Sequence, residues 1–298
     1  MLKVAHPMST VATKTLRLID GRQLAYQCWG DPRGRPLHFL HGFPGSREQA
    51  ALVHAEALAA GVCLVAADRP GMGCSTPAPS RRILDWPGDL EQLADHLGHR
   101  RFGVVGVSCG GPYALACALK LSDRLDYVGL MAGIGPMNLP AIREDQLAML
   151  RVLFGLARSM PRLLTPLLAL DRLMLRSNPE RAVKSLAGMM APPDRELIEA
   201  APELITDFAR GLAEAYRQGI AGPMREAQLI AADHGFSLAE VLSPVHGYFA
   251  AQDRHVPPAM SHHLAKHLPN CTARFYENEG HLSIVKNRFA ECLSDFLN

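Results

Sequence analysis

A chain of 298 residues is long enough for one large α/β domain or two smaller ones, and 48% hydrophobic with 20% charged residues excludes the composition of a disordered protein. Its 31 basic and 29 acidic residues are interspersed and leave a net charge of +2, so no like-charge block supplies the field that a nucleic-acid partner requires. Seven scattered cysteines without a C-x-x-C pair read as reduced thiols, not as a disulfide framework or a zinc site.

From Met1 to Lys14 the chain lacks the apolar run of a secretory signal, which makes the cytoplasm the expected location. Thr15–Ile19 and Arg22–Trp29 are short alternating runs around Asp20-Gly21, a dipeptide that suits a type I′ hairpin turn. Leu37–Leu40 and Val62–Ala67 are continuous apolar runs, the pattern of strands buried on both faces, and Glu48–Ala60 between them has helical spacing. A helix over Asp85–Leu97, a strand over Arg101–Val107, a helix over Pro112–Leu121 and a strand over Tyr127–Met131 follow. This alternation predicts a parallel sheet.

Between residues 135 and 235 the rhythm changes to Leu, Met, Ala and Arg at helical spacing, broken by prolines including Pro140, Pro161, Pro166, Pro192 and Pro223. We read this segment as an inserted helical cap, with residues 1–134 and 236–298 forming the core. Its densest apolar stretch, Leu147–Leu175, is interrupted by Arg151, Arg158, Arg162, Asp171 and Arg172, so no window of about 18 residues is charge-free and no membrane insertion is expected. Its leucines are expected to form the interior of the cap. The sheet pattern resumes with a strand at Val245–Ala250, a helix at Pro258–Leu268, a strand at Ala273–Tyr276 and a closing helix at Leu282–Leu297.

The sharpest motif is Gly106-Val107-Ser108-Cys109-Gly110, between an apolar strand and a helical run. A hydroxyl is a weak nucleophile near neutral pH, so a serine that attacks a carbonyl needs a base in reach and a group that orients the base. A tight strand-turn-helix elbow demands small residues two before and two after the nucleophile, where Gly106 and Gly110 stand. Cys109 is the rival, but in its register Val107 takes the place that must be small. The loop His41-Gly42-Phe43-Pro44-Gly45 after a strand is placed to supply an oxyanion donor, and we assign the backbone N–H groups of Phe43 and Cys109 to that hole.

Thirteen histidines compete for the role of base. The chain order Ser, acid, His, with the histidine on a loop after the last strand, selects His281 in Glu279-Gly280-His281-Leu282. The acid then falls at Asp253, at the end of the strand Val245–Ala250; after Tyr127–Met131 the chain offers no carboxylate before Pro136. His255 is read as a rim residue.

With these motifs and Asp68-Arg69-Pro70-Gly71-Met72-Gly73-Cys74-Ser75, the chain resembles a capped member of the α/β-hydrolase fold superfamily from about Thr15 to its C-terminus, the cap excepted. The resemblance implies an α/β fold with a mostly parallel eight-stranded sheet, a Ser108, His281, Asp253 triad, no cofactor or metal, and a structural role for the Asp68 loop. Relatives that open epoxides or displace halides carry aspartate at the elbow. Serine here favours acyl transfer from a small to medium, largely apolar carboxylic ester. The loops also resemble those of proline iminopeptidases, though Phe43 and Cys109 depart from their usual pattern, and no pair of cap carboxylates is assigned to a substrate amino group. Carbon–carbon bond hydrolysis and a receptor that binds a small molecule without turning it over are further readings. The expected partner is a small-molecule substrate, and a homo-oligomer is left open.

Overall fold

A computed structural model describes residues 11–298, so the readings that fall on residues 1–10 lie outside it. Eight strands form one sheet: β1 (Lys14–Arg17), β2 (Gln23–Gly30), β3 (Arg35–Leu40), β4 (Val62–Ala67), β5 (Phe102–Val107), β6 (Leu125–Met131), β7 (Val245–Ala250) and β8 (Cys271–Tyr276). They lie side by side in the order β1-β2-β4-β3-β5-β6-β7-β8. β1 and β2 pair antiparallel, β2 pairs antiparallel with β4, and every pairing from β4 to β8 is parallel. β4 and β5 are buried along their whole length, as continuous apolar runs covered on both faces must be.

The core helices are α1 (His54–Ala59), α2 (Trp86–His96), α3 (Gly111–Lys120), α10 (Pro258–His267) and α11 (His281–Leu297). Between β6 and β7 the chain forms α4 (Ala148–Ser159), α5 (Pro161–Ser177), α6 (Pro179–Leu186), α7 (Pro192–Ala200), α8 (Glu203–Ala215) and α9 (Ala221–Ala231). Among the described residues no helix is long and apolar enough to cross a membrane. All seven cysteines are free.

Three sequence expectations need correction. The β1–β2 turn is not type I′, because φ is positive at Gly21 (88°) but not at Asp20. Gly21 N–H donates to the Leu18 carbonyl and Leu18 N–H to the Arg22 carbonyl, so the loop is a tight turn closed by a left-handed glycine. The span read as one helix over Glu48–Ala60 is a 3₁₀ segment, Arg47–Val53, followed by α1, with the Ser46 hydroxyl capping the first turn.

The leucines of α4 and α5 do not all turn inward. Phe154, Leu164, Leu168 and Leu175 are buried, whereas Met160, Leu163, Leu167, Leu170, Leu173 and Met174 are exposed. The apolar arc of these helices is wider than the contact it makes, so part of it faces outward. Pro166 sits inside α5 instead of ending it.

Candidate active site

β5 ends by delivering Ser108 with φ at 54°, in the left-handed region. For a non-glycine residue that conformation costs roughly 1–2 kcal/mol. The turn closes only because its flanks lack side chains. A Cβ on Gly106 would stand 2.5 Å from the Gly110 carbonyl oxygen, and one on Gly110 would stand 2.0 Å from the Leu40 carbonyl oxygen. The Ser108 carbonyl is held by Ile134 N–H from the loop after β6.

Ser108 Oγ lies 3.0 Å from His281 Nε2, and His281 Nδ1 lies 2.7 Å from Asp253 Oδ2. A carboxylate only accepts, so the ring proton belongs on Nδ1 and the Nε2 lone pair faces the hydroxyl. Asp253 Oδ1 accepts the N–H groups of His255 (2.7 Å) and Val256 (2.8 Å), which fixes the carboxylate plane. Burial disfavours the imidazolium of His281, but the charge and hydrogen bond of Asp253, with the charge of Asp194, outweigh it and raise the pKa.

The ring of His255 stacks on that of His281, with centroids 4.6 Å apart and planes 22° from parallel. Burial first, and the neighbouring His281 second, bring its pKa down to about 4, so it is neutral near pH 7. His255, read from the sequence as a rim residue, is half-buried and lies against the ring of His281. The Cys109 thiol is pushed up to about 12, chiefly by burial and then by Glu226, and stays protonated beside Ser108.

The loop His41–Gly45 passes Ser108 so closely that a Cβ on Gly42 would come within 3.3 Å of the serine Cβ. Gln49 braces this loop, accepting from Gly42 N–H and donating to the Pro44 carbonyl. The Arg69 guanidinium donates to the carbonyls of His41 (2.6 Å) and Gly42 (2.9 Å) from behind. The Phe43–Pro44 peptide is cis. Among the described residues neither Phe43 N–H nor Cys109 N–H donates to a backbone carbonyl, and Phe43 N–H approaches the Cys109 sulfur. The Phe43 ring packs on Phe154 of α4.

Two carboxylates from the helices between β6 and β7 reach this site. Glu226 of α9 is wholly buried and pairs with Arg69 and Arg81. Burial alone would raise its pKa, yet the two arginines hold it at about 2. Asp194 of α7 accepts the N–H groups of His281 (3.0 Å), Leu282 (2.9 Å) and Ser283 (2.8 Å) at the start of α11. The sequence reading missed Asp194. The one signal for it is that Gly280, the residue preceding α11, has no side chain to cap the helix.

Among the described residues two groups of side chains bring donor atoms within 4.8 Å of one another: Asp253 with His255 and His281, and Asp68 with Cys74 and Glu214. In the first, Asp253 already serves His281 and two backbone N–H groups; in the second, Arg47 spans both carboxylates. The carboxylates of both groups are thus engaged by protein partners. Clefts of about 420 Å³ beside Arg22 and Trp86 and of about 240 Å³ beside His234 and His263 are not lined by Ser108. The serine is itself only 9% exposed, so it is covered and does not stand in either cleft.

A proline iminopeptidase from Xanthomonas citri is 34% identical over 109 residues, which are 35% of this chain and 34% of that enzyme. A soluble epoxide hydrolase from a Corynebacterium is 32% identical over 131 residues, 43% of this chain and 45% of that enzyme. The chain thus matches between a third and a half of the length of these relatives. A bromoperoxidase from Bacillus anthracis shares the fold with a TM-score of 0.72 at 18% identity, over 96% of this chain and 99% of that one. The alpha/beta hydrolase fold family matches residues 35–287, from the first residue of β3 into α11, and the chain belongs to that family.

Proposed function

We propose that this hydrolase is a serine esterase acting on small to medium, largely apolar carboxylic esters through an acyl-enzyme. The observation that carries the reading is the left-handed Ser108 whose Oγ lies 3.0 Å from a histidine that is itself bonded to a buried carboxylate. Ser108 Oγ attacks the ester carbonyl while His281 Nε2 takes its proton, and the oxyanion forms against the N–H groups of Phe43 and Cys109. Collapse breaks the bond to the alkoxide, which receives the proton from His281. Water, activated by the same imidazole, then releases the acid and restores the serine. Asp253 orients the ring and stabilises its charged form. The helices from α4 to α9 act as a cap whose apolar residues near Phe43 and Phe154 favour an apolar acyl or alcohol group. Seven free thiols suit a reducing compartment such as the cytoplasm.

A second reading, a proline iminopeptidase, is favoured by the local 34% identity to such an enzyme. A substrate amino group needs an available carboxylate, and the buried ones of the cap are engaged: Glu226 by arginines and Asp194 by backbone N–H groups. That weighs toward esters. Hydrolysis of p-nitrophenyl esters of increasing acyl length, with proline naphthylamide alongside, separates the readings. Turnover of the amide alone replaces the first by the second, and equal ester rates for wild type and Ser108→Ala remove the mechanism, since loss of the nucleophile costs several orders of magnitude.

A further inference from the structure

We propose that Asp194 is a positioning residue for His281: a cap carboxylate that serves as the N-cap of the helix carrying the base, so that the seating of α7 sets the orientation and charge environment of the imidazole. The inference rests on the reading of Ser108 and His281 given above and extends it to the cap.

A helix start leaves its first N–H groups without partners, and the residue before it normally supplies a side-chain acceptor. Before α11 stands Gly280, which has none. The acceptor comes instead from a residue 87 positions upstream in sequence. Asp194 takes three consecutive N–H groups, His281 on Oδ2 and Leu282 and Ser283 on Oδ1, and is 1% exposed. The glycine is a steric condition of this contact. A Cβ on Gly280 would stand 2.6 Å from Asp194 Oδ1 and 2.7 Å from Oδ2. Gly280 itself is extended, with φ at −107°, so the backbone would accept alanine, and the three atoms nearest to that Cβ all belong to Asp194.

The first of the three donors is the backbone of the base. Any movement of α7 therefore moves His281 relative to Ser108, whose 3.0 Å contact is the one on which proton transfer depends. The carboxylate also adds negative charge beside the ring. The charged and titratable groups acting on this pair are Asp253 and His255 from the loop after β7, together with His281 and Asp194 acting on each other. Asp194 and Asp253 both favour the imidazolium, while His255 remains neutral.

The test uses the full-length protein and a fluorophosphonate probe. Ser108 Oγ displaces fluoride from phosphorus and His281 accepts the serine proton, so labelling reads the nucleophile and base without an ester substrate. Asp194→Asn keeps the size and removes the charge and one acceptor. Expected are labelling and kcat lower by about 10- to 100-fold, an unchanged KM for a p-nitrophenyl ester, and an acid limb moved to lower pH because the imidazolium loses a stabilising charge. A purely structural role would not move that limb. Gly280→Ala leaves the carboxylate in the chain but expels it from the helix start, and the same loss of rate is expected; it decides the matter if Asp194→Asn does not fold. Labelling of either folded variant at the wild-type rate, with the wild-type pH midpoint for Asp194→Asn, overturns the inference while wild-type labelling at Ser108 keeps the underlying reading. Absence of wild-type labelling, against a Ser108→Ala control, removes both.

Discussion

Arg69 and Glu226 meet at 2.8 Å with neither side chain reaching solvent, and Arg69 extends the contact to the carbonyls of His41 and Gly42. One ion pair thus joins α9 to the loop beside Ser108. Glu226→Gln leaves Arg69 and Arg81 buried without an anion, and loss of one partner of a buried pair costs about 3–5 kcal/mol. Urea unfolding should show that loss, together with slower ester turnover as the loop loosens. A cost below about 1 kcal/mol would mean that water or another group replaces the carboxylate.

The acid limb of kcat/KM should have its midpoint above 6.5, the ordinary histidine value, because the pKa of His281 is raised and its neutral form is the base. His255 should add no second limb above about 4, so His255→Phe keeps a one-proton slope. Stability depends on the two rings in opposite senses. The interaction of charged His281 with Asp253 is fully present below 6.5 and is lost as pH rises through its raised folded value. The contribution of neutral His255 is present above 6.5 and is lost as pH falls toward about 4. Denaturant midpoints measured across this range in wild type and His255→Phe check the second sign; the variant should lack that acid-side loss.

Ser108→Gly should abolish turnover and fold more stably than Ser108→Ala. Both lack the hydroxyl, but only glycine relieves φ at 54°, a difference of about 1–2 kcal/mol. Equal melting of the two variants would show that the elbow holds no such strain.

Gly106→Ala and Gly110→Ala should each destabilise by about 1–3 kcal/mol and suppress fluorophosphonate labelling. Gly110→Ala is expected to be the worse, because its Cβ would stand only 2.0 Å from a backbone oxygen of another element, against 2.5 Å for Gly106 within the same turn. Calorimetry of the pair tests the order, and a milder Gly110→Ala would mean that the β3 loop yields.

What could be read from the residues alone follows the range of the interactions involved. Gly106, Ser108 and Gly110 were legible because the turn that needs them is local. Asp253 and His281 were legible because strand ends and chain order place them. The β1–β2 turn was misread because Asp20-Gly21 suits two loop geometries, and the choice between them lies in the pairing of β1 with β2. Asp194 was hidden for the opposite reason, since its three donors lie nearly ninety positions away and nothing near Pro192-Pro193-Asp194 differs from an ordinary helix start. The outward leucines of α5 were hidden because periodicity gives the width of an apolar arc but not how much of it finds a partner.

Asp194 also bears on protein engineering. Inserted helices of this kind invite exchange between relatives as self-contained modules, with the sheet kept as a common chassis. Here the transplant boundary cannot be drawn between residues 135 and 235 without consequence, because the exchanged piece contains the acceptor for the first N–H groups of α11. A graft lacking a carboxylate at that place would bring a new pocket and leave Gly280 as a vacancy in the recipient. A working chimera therefore needs either Asp194 carried in the incoming helices, or a Ser or Asp substituted at Gly280 so that α11 caps itself.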